Sequence, residues 1–153
     1  MAATAPLVKA ALVQLVTDLT APDGVQILYG ARATQLRPVA MAVTGISTEV
    51  ARSLMGRTRR QRDETHQVTV IASVFSPGPD EQQRVTELAY ALIGQLEEHL
   101  RSGPDGPTLG LGANVDAWLS SMELDESTDD DELQAKGRYA AVTATVSVFV
   151  AST

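Results

Sequence analysis

The chain contains no cysteine among its 153 residues. That excludes a disulfide scaffold, a thiol nucleophile and any cysteine-ligated zinc or iron–sulfur site. Aromatic residues are scarce at 4%, so a core must be filled by valine, leucine, isoleucine and alanine. Basic residues are in deficit, 12 against 19 acidic ones, for a net charge of −7. Global attraction to nucleic acid or to an anionic membrane is therefore not expected, although a local basic patch remains available for contacts. No apolar run reaches the about 20 residues that a membrane helix requires. The first apolar stretch is interrupted by Lys9, Gln14 and Asp18 and has no basic lead, so it reads as a helix of the mature fold rather than a signal peptide. There is no G-x-S-x-G and no Walker A sequence. Gly110-Leu111-Gly112 begins like a dinucleotide fingerprint, but Val115 stands where the third glycine belongs and a strand follows.

What is present is enough for one domain spanning 1–153. Hydrophobic residues make up 44% and charged residues 20%, a globular rather than a disordered balance. Leu7, Val8, Ala11, Leu12, Leu15, Val16 and Leu19 recur at helical spacing, with Pro6 in the first turn and Pro22-Asp23-Gly24 as the stop. Val25–Tyr29 is a short strand, and Val39–Ile46 a second. Ser47–Met55 fits either a short helix capped by Thr48 or a strand carrying Val50, Arg52 and Leu54 on one face, and strand is the preferred reading. Gly56–Arg62 reads as an exposed loop. Gln67–Phe75 is a strand with Val68, Val70, Ala72 and Val74 on one face. Asp80 and Gln83 have the spacing of a capping box ahead of a helix of about 21 residues, striped by Val85, Leu88, Ala89, Leu92, Ile93, Leu96 and Leu100 and stopped by Gly103-Pro104. Val115, Ala117 and Leu119 alternate, then the apolar parity switches at Met122 and Leu124, which predicts a bulge near Ser120-Ser121. Arg138–Ala151 is a long strand with Ala140, Val142, Ala144, Val146, Val148 and Val150 on the buried side and Thr143, Thr145 and Ser147 on the other. These elements predict an α+β fold: a mostly antiparallel sheet with two helices packed on one face, its last two strands forming a hairpin.

The chemistry-bearing residues do not assemble into a catalytic pattern. His66 and His99 have no partner at metal-ligand spacing and read as structural or solvated. Glu123, Asp125, Glu126, Asp129, Asp130, Asp131 and Glu132 form an acidic run without the glycine and alternating carboxylates of a calcium loop. It reads as a solvated hairpin tip. No catalytic residue, cofactor site or metal site is assigned. The feature that asks for a partner is Arg57, Arg59, Arg60 and Arg62, four guanidinium groups within six residues, which suit carboxylate or phosphate contacts. Beside Asp129, Asp130, Asp131 and Glu132 they give each subunit a block of each sign, as a head-to-tail contact between copies uses. Contact with nucleic acid is the competing use, but few aromatics are interleaved for base stacking.

The order of elements resembles the tail terminator, or tail completion, proteins of long-tailed bacteriophages and related contractile injection particles. The resemblance is carried by Leu7-Val8-Lys9-Ala10-Ala11-Leu12 followed by Val25-Gln26-Ile27-Leu28-Tyr29-Gly30, and by Arg62-Asp63-Glu64-Thr65-His66-Gln67-Val68-Thr69-Val70 leading into a strand. A long helix with Arg84, Glu87, Leu88, Ala89 and Leu96 comes next. Pro107-Thr108-Leu109-Gly110 and the closing Val/Ala/Thr strand complete it. The resemblance implies a subunit that closes into a ring, usually hexameric, which caps the tail tube, stops its polymerisation and offers a head- or cap-joining surface. The implied partners are other copies of the chain, the tail tube protein and a head–tail connector or cap protein, with transient contact to passing DNA and no membrane. The implied location is the virion, at the tail end or neck, after assembly in the host cytoplasm. Catalysis is not implied. A head–tail connector or neck protein, and a small nucleic-acid-binding module using the 57–62 arginines, are the alternatives.

Overall fold

The apolar stripe near the start of the chain forms α1 (Ala5–Thr20), with Pro6 in its first turn. Val8, Leu12 and Val16, spaced by four, are fully buried, whereas Leu7, about 100° round the helix from Val8, is 60% exposed. A computed structural model describes residues 4–20, 25–29, 39–53, 61–78, 80–103, 106–125 and 137–151. After α1 come β1 (Gln26–Tyr29), β2 (Val39–Ser53), β3 (Gln61–Ser76), α2 (Gln82–Ser102), β4 (Val115–Asp125) and β5 (Arg138–Val150).

The five strands form one sheet in the order β1-β2-β3-β5-β4. β1 runs parallel to β2, and every other neighbouring pair is antiparallel. Both helices lie on the same face. Their buried stripes, Val85, Ala89, Leu92, Ile93, Leu96 and Leu100 of α2 with Val8, Leu12 and Val16 of α1, pack on Val68, Val70, Ala72, Val74, Val142, Val146 and Val148. The fold is α+β, as its pattern predicts. At three successive helix-side steps of the central ladder a larger residue meets a smaller one: Val70 opposes Ala144, Ala72 opposes Val142 and Val74 opposes Ala140. This alternation lets aliphatic helices settle closely on a sheet with few aromatics, each buried valine contributing about 1.5–3 kcal/mol over an exposed one. On the other face Thr69, Thr143, Thr145 and Ser147 stand opposite the helices, and the Ser147 hydroxyl donates to Gln67 Oε1 at 2.9 Å.

Several local expectations need correction. The capping box does not form: α2 is preceded by Glu81, which makes no side-chain cap bond, and Gln83 instead donates to Glu87 at 2.9 Å. The start of the helix is held by Gln82, whose amide donates to the Tyr139 carbonyl of β5 at 3.0 Å. β3 begins at Gln61 rather than Gln67, so Arg62 is a strand residue paired with Arg52, not part of a loop. Backbone pairing with β2 carries the strand through a polar stretch that periodicity does not favour. His66, just ahead of the expected strand, therefore lies inside it. Ser47–Met55 is strand as far as Ser53, while Leu54 and Met55 fall outside the described residues. The predicted bulge is present, with a register shift between Leu119 and Ser121, and β2 carries a second between Val43 and Ile46. β5 is interior, between β3 and β4, so its valines face no open edge.

Candidate assembly interface

The ladder fixes where the charged segments lie. Arg52 and Arg62 are paired in register at one end of the β2–β3 hairpin, next to the end of the sheet where Val150 meets Val115. Asp125 pairs with Ala141 at the other end, level with Ser73 and Ala40. β3 is 16 residues long, which is about 50 Å at the strand rise. The stretches flanking the arginine block and the acidic block thus leave the sheet at opposite ends. Of the predicted contact residues, Arg57, Arg59, Arg60, Asp129, Asp130, Asp131 and Glu132 lie outside the described residues, as does the Arg62 side chain.

At the root of the β2–β3 arm sits a polar cluster that sequence spacing does not reveal. His66 is fully buried and Glu64 nearly so. His66 Nδ1 lies 2.8 Å from Thr48 Oγ1, and Nε2 lies 2.8 Å from Thr4 Oγ1 and 3.3 Å from Glu64 Oε2. The Glu64 carboxylate also accepts from the Thr4 hydroxyl and, at 3.3 Å, from the Thr4 backbone N–H. Because the single Thr4 hydroxyl proton goes to Glu64, Nε2 of the neutral ring carries the proton and donates. Nδ1 then accepts from Thr48. Burial pushes the His66 pKa below 6.5, opposed by the charge and hydrogen bond of Glu64. The order Thr48–His66–Glu64 has the composition of a nucleophilic triad. Here, however, the carboxylate is shared with Thr4, and the cluster anchors the start of α1 to β2 and β3. Thr4 is the first hydrogen-bonded carbonyl of that helix, accepting from Val8 N–H at 3.0 Å. The carboxylate thus lies at a helix N-terminus, where the macrodipole favours an anion.

Lys9 makes a second tie. Its Nζ donates to the Thr44 carbonyl in the β2 bulge at 2.9 Å and lies 4.3 Å from the centre of the Tyr29 ring. Where α2 ends, Glu97, Leu100, Arg101, Pro107, Asp116, Ala117, Trp118 and Leu119 line a half-open groove of about 320 Å³. Glu97 and Arg101 form an ion pair one helical turn apart. The loop before β4 turns through Leu109, Gly110 and Gly112 at φ of 53°, 70° and 130°, which places the glycine pair in a turn rather than at a helix start. No group of three or more potential metal ligands occurs among the described residues. No described helix is long and apolar enough to cross a membrane.

No family model matches the chain, and no curated protein matches it. A solved structure does. A chain of the structure described as "Virion of native gene transfer agent (GTA) particle" superposes with a TM-score of 0.62 at 13% identity. The match covers 99% of this chain and 100% of that one. At this identity the likeness is one of fold, extending over the full length of both chains.

Proposed function

We propose that the chain is a structural protein of a phage-like particle, a tail terminator whose copies close into a ring, six in the usual arrangement, on the end of the tail tube. The observation that carries the reading is the end-to-end match of its fold with a chain of a gene transfer agent virion. That match agrees with the terminator-like order of helices and strands along the sequence. In this role the ring stops tube growth and presents a joining surface to a connector or cap protein. Its working parts are rigid elements and exposed borders, and it performs no catalysis.

The two charged segments then serve at the two rims of the ring. Arg57, Arg59 and Arg60 follow β2 in the chain and precede Arg62, which pairs with Arg52 at one end of the sheet, and Asp129, Asp130, Asp131 and Glu132 follow β4, whose last residue Asp125 lies at the other end. With opposite charges at opposite ends, one rim suits the tube and the other the connector, and DNA passes between them. A head–tail connector is the second reading, since the same virion likeness favours it. Polymerising the cognate tail tube protein with and without this chain separates the two. A terminator binds tube ends and shortens the tubes in proportion to its concentration, whereas a connector leaves tube length unchanged.

A further inference from the structure

Besides the outer side of the short edge strand β1, two stretches of sheet edge are bare among the described residues. β1 pairs only with Ala40–Val43, which leaves the outer side of β2 open from Ile46 to Ser53. β4 pairs only with β5, and the hydrogen bond from Ala117 N–H to the Pro107 carbonyl (2.7 Å) marks where the preceding loop stops covering its outer side. Each bare stretch exposes a large apolar side chain: Val50 is 45% and Met122 46% exposed. Both belong to the helix-side face, because Val50 pairs with buried Glu64 and Met122 with buried Ala144. Unprotected edges of this kind are templates for strand addition.

We infer that neighbouring copies in the ring join edge to edge, the outer side of β4 from Leu119 to Leu124 pairing with the Ile46–Ser53 arm of the next copy and setting Met122 against that copy's Val50. The inference rests on the ring reading above. Strand direction supports a second copy as the occupant. Three successive antiparallel steps separate β2 from β4, so β2 and β4 run oppositely. An identically oriented neighbour therefore offers its arm antiparallel to β4, in the more stable pairing mode. The two edges differ, so the contact is heterologous and propagates around a ring.

The geometry also permits closure. Within one subunit Val50 is level with Val115 through Glu64 and Val150, so bringing Val50 of the neighbour to Met122 shifts that copy by roughly 20 Å along the strands. The sideways step, four strand spacings, is roughly 19 Å. Nearly equal steps correspond to a strand tilt close to the 35–45° typical of closed barrels. The shift keeps β1 of the neighbour clear of β4.

The absence of native cysteine makes the test direct. Within one subunit Val50 and Met122 are roughly 25 Å apart, far beyond the 7 Å between Cα atoms that a disulfide tolerates. Oxidation of a V50C/M122C double variant in the assembled ring should give a ladder of trimers and larger species on a non-reducing gel. The ladder should collapse on reduction and be absent from either single variant. An intact ring by native mass spectrometry with no species above those of the single variants overturns the edge contact while leaving the terminator reading standing. No oligomer of the wild-type chain, with or without tube protein, overturns both. As a second readout, Val50→Asp should dissociate the ring without lowering the Tm of the subunit, and adding Met122→Lys should restore it. An unaffected ring in Val50→Asp contradicts the contact.

Discussion

The Thr4 hydroxyl donates to the Glu64 carboxylate, 60 positions further along the chain, and accepts from His66 Nε2 at 2.8 Å. One short side chain thus closes a buried network that fixes the start of α1 against β3. Thr4→Val keeps the shape and removes the hydroxyl, leaving Glu64 and His66 each short of a partner. Urea unfolding should record a loss of about 1–3 kcal/mol, and Thr4→Ser should recover most of it.

The same network sets a pH dependence. The His66 pKa is depressed below 6.5 in the fold, with burial the larger cause and Glu64 opposing it. The unfolded chain therefore binds the proton first, and stability rises with pH across that interval. The contribution is complete above pH 6.5 and is lost as pH falls through the folded-state value. Thermal unfolding between pH 7.5 and pH 5 should show a falling Tm, and His66→Asn, less stable throughout, should lose that part of the slope.

Gly106 sits against the end of α2. A Cβ at this position would lie 2.0 Å from the His99 carbonyl oxygen, a backbone atom with little freedom to yield. Gly106→Ala should destabilise the fold by about 1–3 kcal/mol, the usual cost of forcing atoms into packed space. Gly110, at φ 70° with open space around a Cβ, should tolerate asparagine, which accepts the left-handed region. Denaturant midpoints of the two variants check the contrast.

The charged ends of the sheet make a prediction about joining rather than folding. Arg59→Glu with Arg60→Glu should leave the subunit Tm unchanged and weaken binding at one rim in a salt-dependent way. Sedimentation of tube complexes at low and high salt measures it. Adding Asp130→Lys and Asp131→Lys should not restore binding if the two segments serve opposite rims. Full rescue would instead bring them together between neighbouring copies.

The sequence reveals the layers because its apolar spacing is unambiguous. Val142 to Val148 alternates without a break and the α2 stripe from Val85 to Leu100 keeps helical spacing, so fold class is readable, and the parity switch between Leu119 and Met122 makes the β4 bulge readable too. Periodicity fails where polar residues are buried in pairs. Glu64 and His66 look like surface residues until Thr4, just before α1, and Thr48 of β2 satisfy them, so β3 reads as six residues too short at its start. The capping box at Asp80 fails for a similar reason, since the tertiary bond from Gln82 to Tyr139 decides where the helix begins. For the interface, the arginine and acidic blocks are visible in the sequence, but that the strands flanking them, β2 and β4, end at opposite ends of the sheet follows only from strand order. Val50 and Met122 read as ordinary strand apolars, and no spacing rule indicates that each lies on an uncovered edge.

The proposed role of this chain is that of a closed ring on a tube end. Native mass spectrometry of the full chain mixed with its tail tube protein tests it most directly. A ring gives one dominant species with a fixed number of copies, six in the usual arrangement, bound at tube ends. A chain that stays monomeric at every concentration, with tube protein present and tubes growing unchecked, would contradict it.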